Sequence, residues 1–580
     1  MSDSAGSRIS RRAFLRAAGI GAGGAALVQA APLTAAAAFG GGSKPDAEAD
    51  VWVVGTGAAG WAAAIFAREA GASVELLEKG AFAGGTTRKS GGVYWVPNNP
   101  VMRAHGMQDP RDDALRYMAR LAYPDLYSPE APHLGLDAKS YALLETFYDR
   151  GAPVIDRLQQ LGVMESTFWP AWDGRPWTDY HADLPENRAP RGRGILPQRA
   201  DGSAGDGADL IQAFRRAAEA RGIPLRLRHA ARRLIVDDSG QVVGLEVATP
   251  ERTLRLRARK GVVFCTGGFA HNPRLVRGFL RGVTWGSCEV PTNEGDFVAI
   301  AGGVGARLAN MKSAAWKQVV LEQVLAFSSI PNGVSSIPGD SSLLVNRDGV
   351  RVVDEKLNYN QRSQVHFDWD ASANLYRNQF LFMLYDQRTA DLFAGVEPLP
   401  PRGAVAPEIL TAPTLAELGP AIDARLAALE THIPRFRLAP GFAAALERTV
   451  ARFNGFARSG VDLDFHRGES IHEPDFHGPR REGNDLPNPM LFPLAEGGPY
   501  HAVILAAGTY GTRGGPEIDT SARVISVWDQ PIPGLYGAGN CIASPAGGGY
   551  FGGGSQLGPG IVFGAIAGEH AARQPARPAA

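Results

Sequence analysis

The strongest constraint on the fold is a strand–turn–helix–strand pattern that starts near residue 50. Residues 51–54 (VWVV) are a short apolar strand, and residues 55–60 (GTGAAG) have the spacing G-x-G-x-x-G. Small residues on one face predict a helix over residues 61–71, and a second apolar strand follows at residues 74–77. Glu78 stands directly after that strand. This order predicts a dinucleotide site in an α/β fold with a Rossmann-like sheet.

Each part of this pattern has a physical role at such a site. The glycines let a pyrophosphate approach the backbone, the helix amino end favours its charge, and the acid binds a ribose hydroxyl. The next loop, "FAGGTTRKSGGVYWVPNN" at residues 82–99, is again small and polar. A nicotinamide enzyme usually continues with another helix–strand unit. Because a second polar loop is better suited to wrapping an isoalloxazine and its ribityl chain, we expect FAD.

Composition excludes several classes of function. A chain of 580 residues predicts two or three domains, and 59 basic against 59 acidic residues give no charge for nucleic acid or an acidic membrane. The three cysteines fit no disulfide framework, zinc, iron–sulfur or haem spacing. No G-x-S-x-G, H-E-x-x-H or C-x-x-C-H motif occurs, and the histidine–acid segments are irregular as ligands. We therefore expect a small-molecule substrate and no metal.

The first 45 residues are expected to lie outside the fold. "SRRAFLR" at residues 10–16 precedes a weakly apolar Ala/Gly/Leu stretch and small residues suited to cleavage. This layout is typical of a twin-arginine signal, with the Tat translocase as transient partner and the periplasm as destination. The alternatives are a basic disordered arm, and a cytoplasmic location if the signal is not used. The segment is too rich in alanine and glycine for a membrane anchor.

The middle of the chain differs from what precedes it. Helical stretches such as "TLAELGPAIDARLAALETHI" alternate with Pro-rich connections such as "VEPLPPRG". We expect an α+β cap domain over residues 315–485, inserted between two parts of an FAD-binding domain at residues 46–314 and 486–575. The cap would cover the substrate.

A second glycine-rich stretch, "AGGGYFGGGSQLGP" at residues 546–559, isolates Tyr550 among glycines. Such a stretch marks a turn or a close approach of backbone to a ligand. A helix is expected to start near Gly558 and Pro559, because proline suits a first helical turn. Its positive end would then face the flavin.

Four further segments carry a family resemblance. "ARKGVVFCTGGFAHN", "NEGDFVAIAGGVGARLANM", "LLVNRDGVRVVDE" and "PIPGLYGAGNCIA" resemble segments of the fumarate reductase/succinate dehydrogenase flavoprotein superfamily. Together with the residue-50 pattern, the resemblance covers nearly everything after residue 48. Some relatives attach FAD covalently through a histidine in the loop after the acid. No histidine occurs between Glu78 and Asn99, so non-covalent FAD is expected.

Within that superfamily, the chain resembles the 3-ketosteroid Δ1-dehydrogenases. The resemblance implies that Tyr359, at the end of "VDEKLNY", is the base, although asparagine stands where the family has proline. Tyr180 in "WTDYHADLPE" would assist it. In the family a Y-P-G-P-G segment grips the ketone oxygen through its tyrosine hydroxyl and last N–H. "YFGGG" gives Tyr550 and Gly554 these roles, with both prolines missing.

The resemblance and the glycine turns also imply the FAD contacts. The residues expected to bind the cofactor are Gly55, Gly57, Ala58, Ala59, Gly60, Glu78, Lys79, Gly85, Thr86, Thr87, Ser90, Gly91, Gly92, Thr266, Gly267, Gly268, Asp296, Gly539, Asn540, Ser555 and Leu557.

The expected activity is FAD-dependent introduction of a C=C bond beside the ketone of a steroid or similar alicyclic compound. A tyrosine would take the alpha proton and flavin N5 would accept hydride. Electrons would pass to an acceptor such as a quinone. Alternatives are Δ4 desaturation, a non-catalytic flavin-binding protein, or an exported fumarate reductase-like enzyme. A fumarate reductase-like enzyme needs an arginine that acts as the general acid, and only Arg467, in "DFHR", is a candidate.

Overall fold

Two large sheets organise the chain in a computed structural model, which describes residues 36–37 and 44–577. The first sheet is mixed. In its parallel core, the long strand Thr253–Phe264 pairs with Ala47–Val54, and Ala47–Val54 pairs in turn with Val74–Leu77. The remaining strands of this sheet are Ala36–Ala37, Leu225–Arg226, Ala230–Val236, Val242–Ala248, Arg523–Ile525 and Pro531–Gly537. The parallel order with a crossover helix confirms the α/β class.

The residue-50 pattern folds much as predicted. The first strand is Ala47–Val54, longer than the four apolar residues, and the second is Val74–Leu77 as expected. The helix is Ala58–Glu69, so it begins three residues before the predicted start. Ala58, Ala59 and Gly60 of the glycine-rich loop form the first turn of this helix, and none of them has a side chain larger than a methyl group.

The second sheet is built around one long strand, Tyr500–Thr512. It pairs antiparallel with Ala314–Val320, Phe380–Asp386 and Leu410–Ala412, and in parallel with Gly286–Ser287. Ser342–Val345 completes the sheet beside Phe380–Asp386. These pairs join segments that are far apart in the chain, so this sheet supports the part of the fold where the substrate is expected to bind.

The smaller elements connect and cover these sheets. Three minor sheets pair Leu308–Ala309 with Gly515–Pro516, Trp369–Asp370 with Leu375–Tyr376, and Gly194–Pro197 with both Tyr94–Trp95 and Ser166–Phe168. The α-helices in the described residues are Ala58–Glu69, Gly85–Arg88, Pro100–Ala104, Arg111–Ala122, Ala138–Gln160, Gly207–Ala220, Pro273–Phe279, Asp296–Gly302, Leu321–Ala326, Tyr359–Arg362, Gln387–Leu392, Leu415–Ala428, Phe442–Ser459, Glu473–His477 and Leu557–Arg573. Short 3₁₀ helices lie at Pro132–Gly135, Ser363–Phe367 and Gly539–Cys541.

The two ends of the fold meet through one helix pair. Leu557–Arg573 packs on Ala58–Glu69, and an added Cβ on Gly564 or Gly568 would lie 2.3 Å from the Ala59 carbonyl oxygen or 2.0 Å from that of Ala63. Glycine at these two positions allows the helix backbones to touch. This contact brings the carboxyl-terminal glycine loop beside the residue-50 turn.

The domain boundaries remain predictions, and two observations bear on them. The second sheet takes Gly286–Ser287 and Tyr500–Thr512 from outside residues 315–485. The expected export signal lies outside the described residues, except for residues 36–37 and 44–45. Ala36–Ala37 pair with the strand Ala230–Val236.

Candidate active site

The glycine turn before the helix Ala58–Glu69 presents backbone to a cavity. Gly55 has a φ of 102°, and an added Cβ would lie 2.3 Å from the Cys265 carbonyl oxygen. An added Cβ on Gly60 would lie 1.9 Å from the Gly55 carbonyl oxygen. Gly57 has no side chain to cap the helix, and the Ala58 N–H donates to the Thr87 hydroxyl (3.2 Å), so the rest of the first turn can meet an anion. The turn therefore fits a pyrophosphate.

The carboxylate of Glu78 is fixed at the end of the strand Val74–Leu77. One oxygen accepts a hydrogen bond from the Gly80 N–H (2.7 Å), and the other accepts from the Thr56 N–H (3.3 Å). Glu78 is buried and lines the same cavity as the glycine turn. A carboxylate held in this way is suited to a ribose hydroxyl.

Most of the expected cofactor residues surround this cavity. Those that line it are Gly55, Gly57, Ala58, Ala59, Glu78, Lys79, Gly85, Thr86, Thr87, Ser90, Thr266, Gly267, Asp296, Gly539, Asn540 and Leu557. Gly91 and Gly92 instead line a second cavity beside it. Lys79 makes ion pairs with both Asp296 (2.7 Å) and Glu294 (2.8 Å) at the cavity wall.

Three expected cofactor residues lie behind the wall. Gly60 packs against the Gly55 carbonyl, and an added Cβ on Gly268 would lie 2.1 Å from the Thr512 hydroxyl oxygen. Ser555 is buried and donates its hydroxyl to the Gly552 carbonyl oxygen (2.7 Å). These residues shape the site through close packing and line neither the first nor the second cavity.

A second cavity, about 690 Å³ in volume, opens from the first. The residues that line both are Thr86, Ser90, Tyr510, Gln556 and Leu557. The helix Leu557–Arg573 starts at this junction, one residue before the expected Gly558, and no side chain caps it. All four residues expected to carry the chemistry, Tyr180, Tyr359, Tyr550 and Gly554, line the second cavity.

Three tyrosine hydroxyls meet in this cavity, and we call Tyr180, Tyr359 and Tyr550 the tyrosine cluster. The Tyr180 hydroxyl donates to that of Tyr359 (2.8 Å), and the hydroxyls of Tyr359 and Tyr550 are 2.9 Å apart. Tyr359 therefore occupies the centre of the cluster. An anion on its oxygen could accept hydrogen bonds from both neighbours.

Burial controls the acidity of the cluster. It raises the pKa of Tyr359 and Tyr180 well above the usual range, and the neighbouring phenols add to the rise for Tyr359. Burial also raises the pKa of Tyr550 to about 12, although the hydrogen bond to Tyr359 and the charge of Arg513 oppose this rise. A base at this position needs additional positive charge nearby to act at neutral pH.

The departure from the family pattern before Tyr359 has a local explanation. Asn358 caps the short helix Tyr359–Arg362, and its side chain accepts from the N–H groups of Asn360 (3.1 Å) and Gln361 (3.2 Å). Asn360 in turn accepts from the Trp316 N–H (2.9 Å) on the neighbouring strand. An asparagine cap can start this helix where relatives have proline.

The glycine loop is shaped by indole rings. An added Cβ on Gly553 would lie 2.2 Å from the ring of Trp169, which stacks on Trp177 with centroids 3.9 Å apart. Gly554 has a φ of 94°, and its N–H has no hydrogen-bond acceptor in the part of the chain that the structure describes. Glycine rather than proline at position 553 is therefore required by Trp169, and the Gly554 N–H is free for a ligand.

The loop is fixed from behind. Arg513 donates to the carbonyl oxygens of Gly548 (2.8 Å) and Gly549, and the Tyr117 hydroxyl donates to that of Phe551 (2.6 Å). Arg513 and Tyr117 anchor the backbone on both sides of Tyr550. The tyrosine is thereby held against the cluster.

Sequence reasoning missed several residues of the cavity. Tyr510 lines both cavities, and Lys317 lies directly behind it, fully buried. Trp169, Trp177 and Phe476 form an aromatic wall. The only signal for Lys317 was a lysine inside the strand Ala314–Val320, "AAWKQVV", whose other residues apart from Gln318 are apolar.

Glu355, in the segment "VDEKLNY" that leads to Tyr359, does not line the second cavity. Glu355 is fully buried in ion pairs with Arg351 (2.8 Å) and Arg467 (3.2 Å). Arg467 also donates to three backbone carbonyl oxygens, those of Ser342, Gly339 and Asp340. The Arg467 guanidinium is engaged by Glu355 and these carbonyl oxygens, and Arg467 does not line the second cavity.

Within residues 36–37 and 44–577, no group of histidine, cysteine and acidic residues could hold a metal ion. In the same part of the chain, no helix is both long and apolar enough to cross a membrane.

Comparison with known proteins agrees with this geometry. The family described as "FAD binding domain" matches residues 50–557. The 4-oxocyclohexanecarboxylate 2-dehydrogenase of Sinomonas cyclohexanicum is 30% identical over 92% of this chain and 94% of its own. The 3-oxosteroid 1-dehydrogenase of Mycolicibacterium smegmatis is 28% identical over 90% of this chain and 96% of its own.

A solved structure is also similar along nearly the whole chain. The 3-ketosteroid delta1-dehydrogenase of Sterolibacterium denitrificans, in complex with 1,4-androstadiene-3,17-dione, is 25% identical with a TM-score of 0.76. The match covers 90% of this chain and 99% of that one. The superfamily and the cofactor expected from the sequence are thus confirmed. The chain belongs to the FAD-binding flavoprotein family and is an FAD-dependent oxidoreductase.

Proposed function

We propose that this dehydrogenase introduces a carbon–carbon double bond next to the ketone of an alicyclic compound. The single observation that carries the proposal is the meeting of the Tyr180, Tyr359 and Tyr550 hydroxyls in a cavity that opens onto the cofactor cavity. Three phenols and a free backbone N–H can manage one proton and one carbonyl oxygen. Lys89 is the one cation among the described residues that line this cavity.

In this mechanism the chain's residues have distinct roles. The Tyr550 hydroxyl and the Gly554 N–H donate to the ketone oxygen and stabilise it as it gains enolate charge. Tyr359 takes the proton from the carbon beside the carbonyl, while the Tyr180 hydroxyl donates to Tyr359. When bound, FAD supplies the acceptor for the second hydrogen and its two electrons. Trp169, Trp177 and Phe476 exclude water from the ring of the substrate.

The substrate is proposed to be a cyclic ketone such as 4-oxocyclohexanecarboxylate or a 3-ketosteroid. The first compound is named in the dehydrogenase of Sinomonas cyclohexanicum, and 3-oxosteroids or 3-ketosteroids are named in the other two similar proteins. The aromatic wall favours a flat alicyclic ring in either case. Δ4 desaturation of a steroid uses the same groups, and we propose a quinone as the electron acceptor.

An anaerobic substrate screen tests the function. Purified oxidised holoenzyme is mixed with each ketone, and the flavin absorbance is recorded. Loss of the oxidised flavin band with a cyclic ketone, and formation of the unsaturated ketone, are the expected results. The proposal is overturned if no ketone bleaches the flavin and the dithionite-reduced enzyme is instead reoxidised by fumarate or another unsaturated acid.

We also propose that the folded holoenzyme is exported by the twin-arginine route. The support is the order of Arg11, Arg12, Phe14 and the weakly apolar stretch after them. Replacing both Arg11 and Arg12 with lysine should retain the precursor in the cytoplasm. Cell fractionation measures the distribution, and unchanged export of this double variant contradicts the proposal.

A further inference from the structure

Two buried cations flank the tyrosine cluster. The Lys317 side chain is fully buried, and Arg513 is 2% exposed. The Lys317 ammonium lies 5.6 Å from the ring centroid of Tyr359, and the Arg513 guanidinium carbon lies 5.8 Å from that of Tyr550. Neither cation makes an ion pair with any carboxylate among the described residues. A buried charge without a counter-ion is costly, so the pair requires an explanation.

Lys317 contacts only neutral groups. Its ammonium donates to the Ser335 hydroxyl (2.8 Å) and to the Tyr510 hydroxyl, and it lies 3.8 Å from the Tyr510 ring centroid. The Asn332 side-chain oxygen is 3.4 Å away. Tyr510 separates the ammonium from the cavity and packs edge-on against Tyr359, with ring centroids 4.9 Å apart. The charge is therefore close to the cluster but behind its wall.

We propose that Lys317 is a positioning residue for proton transfer, whose buried charge favours an anion on the tyrosine cluster. The inference rests on the proposed function, because it assigns the cluster the role of base. A phenolate centred on Tyr359 is the counter-ion that Lys317 lacks. Lys317 acts through Tyr510 and touches no reacting atom.

The surroundings of both partners agree with this assignment. Burial, together with the charge of Arg362, lowers the pKa of Lys317 to about 7, and Cys288 and Glu397 oppose the change. Burial moves the pKa of Tyr359 in the opposite direction. Burial therefore disfavours each charge on its own. This cost is reduced when the Tyr359 phenolate and the Lys317 ammonium are present together. Lys317 thus provides the positive charge that a tyrosyl base requires.

Arg513 is the less suitable group for testing. Burial lowers its pKa to about 10, so it remains charged at neutral pH, but it also anchors the glycine loop through Gly548 and Gly549. Replacing it would move Tyr550. Among the described residues, the Lys317 side chain donates to no backbone carbonyl oxygen, so its removal deletes contacts to the Ser335 and Tyr510 side chains but no backbone anchor.

The test measures phenolate formation without any substrate. Near-ultraviolet absorbance of the oxidised holoenzyme is titrated with pH, and the difference from Tyr359→Phe isolates the transition of Tyr359. In Lys317→Met the midpoint should move up by at least ~1 pH unit, a tenfold lower phenolate fraction at fixed pH. Lys317→Arg keeps the positive charge, so its midpoint should stay close to that of the unaltered protein. Lys260→Met is the matched control, because Lys260 is half-buried, donates to the Ala572 carbonyl (2.7 Å) and lies away from the cavities.

A second readout follows proton transfer alone. The oxidised enzyme is incubated with 4-oxocyclohexanecarboxylate in D₂O, and deuterium beside the carbonyl is measured by NMR. Lys317→Met should exchange at least ~10-fold more slowly below the shifted midpoint and recover at higher pH. A change caused only by loss of structure would not recover with pH.

The outcomes separate this inference from the proposed function. An unchanged Tyr359 midpoint in Lys317→Met, or no Tyr359 transition in the unaltered protein below the pH at which it unfolds, overturns the inference. If the unaltered enzyme dehydrogenates a ketone in either case, the proposed function stands. Should Lys317→Met fail to fold, Lys317→Gln keeps a donor for Ser335, and the same shift is expected.

Discussion

The Tyr180 hydroxyl donates a 2.8 Å hydrogen bond to the Tyr359 hydroxyl, and the two rings meet edge to face with an interplanar angle of 84°. Tyr359 also lies 2.9 Å from the Tyr550 hydroxyl. The proposed helper Tyr180, the proposed base Tyr359 and the proposed carbonyl donor Tyr550 thus form one continuous chain of hydrogen-bonded phenols. A ketone oxygen that binds Tyr550 would replace Tyr359 as its partner and leave Tyr359 facing the adjacent carbon.

Removing the proposed base should separate chemistry from cofactor binding. We expect Tyr359→Phe to lower kcat by about 10²–10⁴-fold, the usual contribution of a general base, while the yellow flavin stays bound. Tyr180→Phe removes one hydrogen bond to a charged group, which is worth ~1.5–3 kcal/mol, so a loss of about 10–100-fold is expected. Stopped-flow flavin reduction measures both rates.

A buried tyrosine outside the cavity provides the control for these variants. Tyr94 bonds to the Ser166 hydroxyl (2.7 Å) and lines neither cavity. Tyr94→Phe should keep flavin reduction within about twofold of the unaltered enzyme, because only stability is affected. Rapid flavin reduction by Tyr359→Phe would remove that residue from the mechanism.

The carbonyl donor should show a different kinetic pattern. Tyr550→Phe deletes one of two donors to the developing oxyanion, and such a loss typically lowers kcat by about 10²–10³-fold. The loss should appear in kcat and kcat/KM together, because the contact strengthens in the transition state. Steady-state kinetics with a dye acceptor measure it. A rise in KM at constant kcat would instead assign Tyr550 to substrate binding alone.

Sequence reasoning found those parts of the site that depend on local chain geometry. Gly55, Gly60 and Glu78 are encoded within one strand–turn–helix–strand unit, so spacing alone locates them. Tyr180, Tyr359 and Tyr550 are far apart in the chain, and only the family resemblance suggested that they meet. The pairing of Tyr500–Thr512 with Ala314–Val320 creates the cavity wall and is not encoded by a motif.

Lys317 illustrates what local patterns cannot give. Its neighbours Tyr510 and Ser335 are 193 and 18 residues away along the chain. A lysine in a buried strand contradicts simple hydrophobic patterning, and its partners are known only after the strands have paired. The missing prolines beside Tyr550 are a similar case, because the reason for glycine at position 553 is the ring of Trp169.

The glycine turn makes a direct prediction about FAD binding. Gly60→Ala would place a methyl group 1.9 Å from the Gly55 carbonyl oxygen, and backbone cannot yield without moving the turn. We expect at least ~10-fold weaker FAD affinity, equivalent to about 1.4 kcal/mol. Flavin released on dilution, measured by fluorescence, reports the change. Gly278→Ala is the control, because no atom lies within 4 Å of its added Cβ, and it should retain full FAD.

Buried histidines predict acid sensitivity. Burial lowers the pKa of His366 to about 4 from the ordinary 6.5, and its Nδ1 lies 2.7 Å from the Asn378 carbonyl oxygen. Because the folded-state pKa is the lower one, its contribution to stability is complete above pH 6.5 and is lost as pH falls toward 4. Between pH 7 and pH 5 the free energy of unfolding should fall by about 2 kcal/mol for this residue. Urea denaturation at both pH values measures the fall, which His366→Gln should reduce. Exposed His432→Gln should keep it, and equal pH dependence in both variants would refute the assignment.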